Sequence, residues 1–124
     1  MELTLEAPAR VTVGASLPLS LALRNTGAQP LTLSLRGRAI AFDFQVLDSS
    51  GAVVWERLHE QVVPAVIQAV TLAPGERRDF RHTFDLKGND GVALRPGTYT
   101  VVGLLLRDQP DPLRSPAVRF EIAR

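Results

Sequence analysis

Cysteine is absent from the 124-residue chain, which excludes disulfide staples, thiol catalysis and zinc sites built on thiolates. A charge excess is absent too, because 14 Lys and Arg balance 13 Asp and Glu to a net charge of +1. A general nucleic-acid binder carries a strong basic excess, so we expect no nucleic-acid partner. Without disulfides, the stability of the fold must come from a hydrophobic core.

Long hydrophobic runs are also missing. Apolar stretches last only a few residues, whereas a helix needs about 20 to span a bilayer. Met1 leads into Glu2 without the basic and apolar regions of a signal peptide. We therefore expect no membrane segment and a cytoplasmic location, or an envelope or secreted location if a leader once preceded Met1. The length and the apolar content of 45% predict a single domain over residues 1–124, as a monomer or a weak dimer.

Residues suited to catalysis are few and scattered. The two histidines, His59 and His82, fall in different predicted elements and are too few for a metal site without cysteine. No serine stands in the Gly-x-Ser-x-Gly pattern of a hydrolase, and no glycine-rich loop joins a strand to a helix as phosphate binding requires. The sequence therefore predicts a protein that is not an enzyme and holds no cofactor. His82 lies on the apolar side of its strand, which predicts a partly buried structural residue, whereas His59 should be exposed.

Period-two alternation of apolar and polar residues recurs along the whole chain. Turn residues interrupt it every ten positions or so, and helical periodicity is almost absent. This pattern predicts an all-β fold, an immunoglobulin-like antiparallel β-sandwich of about eight or nine short strands. The clearest alternating segments are 17–23, 31–35, 42–46, 80–86, 99–105 and 118–122.

Turn signals separate these segments. The sequence Asp-Ser-Ser-Gly at 48–51 predicts a hairpin, and residues 25–30 predict a turn between two strands. Pro-Gly at 74–75 and at 96–97 suits the central positions of two type II turns. Residues 56–67 contain proline and many β-branched residues, which predicts an irregular loop with one helical turn at most.

Four punctuated pieces between Asp43 and Thr100 carry a family resemblance: DFQVLDSSGAVVW, QAVTLAPGE, FDL and RPGTYTV. In their order and spacing they resemble the intracellular proteinase inhibitor family, the BsuPI-type domain. The resemblance implies an immunoglobulin-like sandwich in which Trp55 follows the Gly51 turn. It also implies a protein partner, a serine protease that is blocked by a loop at one end of the sandwich.

Two positions depart from the pattern of that family. Phe84 stands where a tryptophan is usual, and Ile67 stands where an aromatic residue is usual. The first forty residues also look like the opening strands of bacterial immunoglobulin-like modules. The alternative function is therefore a non-inhibitory module that holds another protein or serves in the cell envelope, because sandwiches of this kind host many binding functions.

The loop over residues 57–67 is the first candidate surface for a partner. Its Leu58, Val62, Val63 and Val66 make it more apolar than a solvated loop requires. Exposed apolar clusters are rare in monomers, so the same residues could instead cap the open end of the sandwich. Both interpretations remain open from the sequence.

The loop over residues 107–116 is the second candidate surface. Three prolines stiffen it, and Leu113, Arg114 and Ser115 would present an arginine to a protease pocket. A stiff, extended loop loses little entropy when it docks, which suits an inhibitor. The alternative is a rigid linker between the last two strands, because proline often marks loops.

Overall fold

The computed structural model of the protein describes residues 1–36, 41–59, 66–107 and 112–124. These residues form eleven β-strands and no helix, which confirms the all-β prediction. The strands are β1 (Glu2–Glu6), β2 (Arg10–Thr12), β3 (Leu17–Arg24), β4 (Leu31–Arg36), β5 (Phe42–Leu47), β6 (Val53–Glu56), β7 (Ile67–Leu72), β8 (Arg77–Phe84), β9 (Gly97–Leu105), β10 (Leu113–Arg114) and β11 (Val118–Ala123). The number exceeds the predicted eight or nine because β2 and β10, of three and two residues, are too short to show alternation.

Two sheets face each other to make the sandwich. One has the strand order β1-β3-β8, and the other has the order β2-β11-β9-β5-β6 with β10 beside the end of β9. The pairings within both sheets are antiparallel except for the parallel pair β2–β11. A third pair, β4–β7, is antiparallel as well. This arrangement confirms the predicted antiparallel β-sandwich.

The core lies between the two sheets and is built from one side of each strand. In β3, the leucines of one parity are at most 1% exposed, as the alternation predicts. Gly103 of β9 faces them so closely that a Cβ atom there would lie 2.5 Å from Cδ1 of Leu21. Glycine therefore permits the two sheets to approach at this point. The buried leucines of β3 are Leu17, Leu19, Leu21 and Leu23.

The segment between β3 and β4 interrupts one long ladder instead of joining a hairpin. β3 pairs with β8 while β4 pairs with β7, so the two strands follow each other along one side of a bent ribbon. Asn25, only 3% exposed, lies at the bend. Its Nδ2 donates to the carbonyls of Gln29 at 2.7 Å and Leu72 at 3.0 Å, and its Oδ1 accepts from the Gly27 N–H at 3.0 Å. A buried amide with these partners holds the chain where the backbone pairing is broken.

The two Pro-Gly sequences adopt different conformations. Gly75 has a φ of 79°, and the Glu76 N–H donates to the Ala73 carbonyl at 2.9 Å, which confirms the first turn. Gly97 instead has a φ of 153° and is the first residue of β9. The prediction of a second type II turn is wrong, because the strand has already begun where the turn would end.

Tyr99 stabilises the approach to β9. Its hydroxyl donates to the Arg95 carbonyl at 2.7 Å, and its ring lies 5.8 Å from that of Phe120. A tyrosine at the start of this strand that bonds back to the preceding backbone is the tyrosine corner of immunoglobulin-like sandwiches. The contact therefore supports the immunoglobulin-like character of the fold.

Candidate partner-binding end of the sandwich

The two predicted contact loops leave the sandwich at the same end. Phe42, the first residue of β5, lies opposite Leu105, the last residue of β9. Antiparallel pairing also places Glu56, the last residue of β6, beside β5, so that the chain leaves both β6 and β9 where β5 begins. The described roots of the loop after β6 and of the loop after β9 are therefore neighbours. We call this end, with its described residues 41–43, 57–59, 66–67, 106–107 and 112–114, the loop end.

The connection between β4 and β5 leaves from the loop end as well. Arg36, the last residue of β4, lies opposite Ile67, and its N–H donates to the Leu106 carbonyl at 2.9 Å. Three connections are thus rooted side by side. The binding loops of immunoglobulin variable domains are clustered at one end of the sandwich in the same way.

The first loop exposes apolar side chains at its second root. Val66 is 44% exposed and the adjoining Ile67 is 49% exposed, whereas Leu58 at the first root is half-buried. Val62 and Val63 lie outside the described residues. Two neighbouring apolar side chains in contact with solvent are available to a partner.

The second loop returns to the sheet through β10. Leu113 pairs with Leu105 and packs against the core, and Arg114 pairs with Leu104 while it remains exposed. The Arg114 side chain is therefore accessible but belongs to a strand. Its presentation depends on how firmly β10 holds to β9.

Ser115 contacts the fold itself. It is 6% exposed, its hydroxyl accepts from the Gly103 N–H at 2.9 Å, and the same hydroxyl donates to the Pro116 carbonyl at 3.0 Å. The Ser115 N–H also donates to the Gly103 carbonyl at 2.9 Å. Both roles of the hydroxyl are filled inside the protein, so we assign Ser115 to anchoring the second loop and leave it out of the contact surface.

Asp43 is a residue of this end that the sequence pattern did not reveal. It is only 7% exposed, and its Oδ1 accepts the N–H groups of Phe44 at 2.8 Å and Leu58 at 3.0 Å. Burial raises the pKa of Asp43, whereas the two N–H donors and the charge of Arg57 act in the opposite direction. Alternation placed Asp43 with Gln45 on the polar side of β5, so nothing in the pattern distinguished it from a solvent-facing residue.

Arg57 ties the first loop to β5 by a second route. Its backbone N–H donates to the Phe44 carbonyl at 3.0 Å. The carbon of its guanidinium group lies 3.8 Å from the centre of the Phe42 ring. Burial lowers the pKa of Arg57, and the charge of Asp43 opposes that shift. An arginine remains cationic at neutral pH, so the contact is a cation–π interaction of about 0.5–2 kcal/mol.

The histidines lie where the sequence predicts them. His82 is half-buried in β8, and its ring is stacked on Trp55 with 5.6 Å between the ring centres. Burial lowers the pKa of His82, and the charge of Arg57 acts in the same direction. His59 is exposed. Among the residues that the structure describes, no group of three or more His, Asp or Glu could hold a metal ion, and no helix could cross a membrane.

The family model described as BsuPI, intracellular proteinase inhibitor, matches residues 3–110, which is most of the chain. The chain belongs to this family. The match confirms the resemblance carried by the four sequence pieces, and the word intracellular in the family's description agrees with the expected cytoplasmic location. No curated protein sequence matches the chain significantly.

Solved structures of low sequence identity share the fold of this inhibitor-family domain. The alkylpurine DNA glycosylase AlkC of Pseudomonas fluorescens, bound to DNA with an abasic site analogue, is 20% identical with a TM-score of 0.54; the match covers 99% of this chain and 31% of that one. The sporulation control protein Spo0M of Bacillus subtilis is 14% identical with a TM-score of 0.58, over 99% and 49% of the two chains. The CARDB domain of a Pyrococcus furiosus protein, in complex with di-metal ions, is 10% identical with a TM-score of 0.50, over 98% and 91%. The chain thus spans about a third of AlkC and half of Spo0M, and the likeness concerns the fold alone.

Proposed function

We propose that this member of the intracellular proteinase inhibitor family blocks a serine protease with its loop end. Family membership supports a protease as the partner. The observation that carries the choice of surface is the convergence of both contact loops on one end, where Val66 and Ile67 are exposed. Arg114 lies at the same end and adds an accessible cation.

The roots of both loops are held before any partner arrives. Leu58 is bonded to Asp43 at the first root, and Ser115 is bonded to Gly103 at the second. Each flexible side chain that must be ordered on binding costs about 0.5–1.5 kcal/mol, and held roots reduce that cost. Such preorganisation suits an inhibitor that occupies a substrate groove without being cleaved.

The first experiment titrates the purified protein into a subtilisin-like protease, a trypsin-like protease and a metalloprotease. We expect dose-dependent loss of serine-protease activity, an unaffected metalloprotease and an unchanged intact mass of the protein afterwards. Full activity of all three enzymes, or steady digestion of the protein, would contradict the proposal. That result would favour the non-inhibitory interaction module.

A matched pair of variants then locates the surface. Val66→Asp places a charge at the loop end, and Val53→Asp places the same charge at a residue of similar exposure, 45%, which begins β6 directly after the 48–51 turn and pairs with Leu47. We expect Val66→Asp to weaken inhibition by about tenfold or more, because a charge in the dry centre of an interface is strongly unfavourable. Val53→Asp should leave inhibition unchanged, and an equal effect of both variants would move the surface away from the loop end.

A further inference from the structure

Asp43 continues a hydrogen-bonded ladder that the backbone alone does not complete. The pairing of β5 and β6 extends as far as Gln45 and Glu56, and the Arg57 N–H then bonds to the Phe44 carbonyl at 3.0 Å. The next donor, the Leu58 N–H, bonds to the side chain of Asp43 at 3.0 Å. The carboxylate thus holds Leu58, the residue at which the backbone ladder would otherwise release the loop.

The carboxylate of Asp43 is buried and is compensated by groups from two segments of the chain. Asp43 is 7% exposed, and burying a charged group is costly unless hydrogen bonds compensate it. Its two N–H donors and the nearby charge of Arg57 provide that compensation. The guanidinium of Arg57 is itself held against the ring of Phe42. One buried acid therefore connects the start of β5 with both residues at the first root of the loop.

We propose that Asp43 is a positioning residue of the inhibitory surface, which holds Leu58 and so fixes the described root of the first loop. The proposal rests on the proposed function and deepens it. Asp43 itself meets no partner, since its carboxylate is buried and faces the loop backbone. Its removal would free the root of the loop while the core of the sandwich remains.

The test compares three variants of the full chain. Asp43→Ala removes the acceptor, and Asp43→Asn keeps an oxygen that can accept the Leu58 N–H. Asp48→Ala is the matched control, because Asp48 also accepts backbone N–H groups through its Oδ1, those of Ser50 and Ala52, but at the other end of the same hairpin. Each variant is assayed against a subtilisin-type serine protease, and the amide exchange of Leu58 is measured well below the unfolding midpoint.

We expect Asp43→Ala to speed the exchange of the Leu58 amide by about tenfold or more, since a hydrogen bond to a charged group is stronger than one between neutral groups. The inhibition constant should weaken by a similar factor. Asp43→Asn should recover most of both effects, and Asp48→Ala should change neither. Recovery by the isosteric amide separates positioning from a general loss of stability.

The proposal is overturned if Asp43→Ala leaves both the Leu58 exchange rate and the inhibition constant at the wild-type values. It is also overturned if Asp48→Ala weakens inhibition as much as Asp43→Ala does, because the effect would then be one of stability. Should the wild-type protein inhibit no protease in the panel, the proposed function fails by that result alone. The exchange comparison still decides in that case whether Asp43 holds the loop.

Discussion

An aspartate lies near each end of the β5–β6 hairpin, and the two carboxylates accept N–H groups that lie at different distances along the sequence. Asp48 accepts the N–H groups of Ser50 and Ala52, two and four residues further along the chain. Asp43 accepts the N–H group of Leu58, fifteen residues away. The other end of the hairpin, which we call the turn end and which comprises residues 47–53, is thus closed by residues that are close in sequence, whereas the loop end depends on contacts that exist only in the folded sandwich.

The same contrast appears in the electrostatics of the two carboxyl groups. The hydroxyl of Ser50 and then the N–H group of Ala52 lower the pKa of Asp48. Burial raises the pKa of Asp43 despite its two N–H donors. A solvated carboxylate gains from each hydrogen bond, while a buried one must first lose its hydration. Asp48 therefore stabilises the turn to which it belongs, whereas Asp43 mainly holds a segment that is distant in the sequence.

The largest expected effect comes from removing the aromatic ring at the loop end. Phe42→Ala should lower the free energy of unfolding by about 2–3 kcal/mol, because the ring packs on Phe80 at 5.4 Å and supports Arg57 at 3.8 Å. Val53→Ala at the turn end, where the side chain is 45% exposed, should cost less than about 0.5 kcal/mol. Urea unfolding of both variants measures the difference. Equal costs would mean that the two ends are equally dependent on tertiary contacts.

A smaller effect is expected from the glycine of the turn end. Gly51 has a φ of 87° with nothing within 4 Å of an added Cβ, so Gly51→Ala introduces backbone strain alone, about 1 kcal/mol. Gly51→Asn should cost less, because asparagine tolerates this conformation better. Thermal unfolding measures both variants. Under the proposed function, inhibition should remain unchanged, and a weakened inhibitor would contradict the choice of the loop end as the contact surface.

His82 provides a pH-dependent test next to the loop end. Burial and the charge of Arg57 lower its pKa, although Asp85 opposes the shift, so the folded protein favours the neutral ring. Its contribution to stability is complete above the unfolded pKa of about 6.5 and is lost as the pH falls through the lower folded pKa. We expect His82→Gln to flatten the decline of the urea midpoint between about pH 7 and pH 5. A variant with the wild-type slope would assign that decline to other groups.

The smallest expected effects distinguish the two aspartates by the sign of their pH dependence. The stabilisation by Asp48 is present above its ordinary pKa of 3.8 and is lost as the pH falls through its lower folded pKa. Asp43 behaves in the opposite way, since stability declines as the pH rises from 3.8 through its raised folded pKa. Carboxyl NMR titration should place Asp43 above and Asp48 below 3.8. If Asp43 and Asp48 titrated at the same pH, the electrostatic contrast between the loop end and the turn end would be wrong.

The strand pattern could be predicted because alternation reflects burial directly. The leucines of β3 are buried as their spacing requires, and the hairpin at 48–51 forms where its turn residues stand. Leu86, predicted to continue the strand of Phe84, is buried but adopts a φ of 64° after β8 has ended. The alternation correctly predicted that Leu86 is buried. It did not predict that the strand ends at Phe84 and that the chain changes direction at Leu86.

The candidate site could be predicted only in part. The proline-rich and apolar loops were visible as composition, and their common end follows from strand pairing over long sequence distances, such as that of Phe42 with Leu105. Ser115 was assigned to the contact surface from its place in the loop, yet its environment is set by Gly103 of a neighbouring strand. The sequence does not show which strands pair, so it does not show which polar side chains are buried between or beside the strands.

The sequence by itself determined the all-β class, most of the strands and the membership of the inhibitor family, because these depend on local alternation and on motifs that are contiguous in the chain. Only the tertiary structure decided that the two predicted contact loops leave from one end, that Ser115 is enclosed and that Asp43 holds Leu58. The physical reason is that burial and hydrogen-bond partners are set by segments distant in the sequence. Their juxtaposition arises when the two sheets pack.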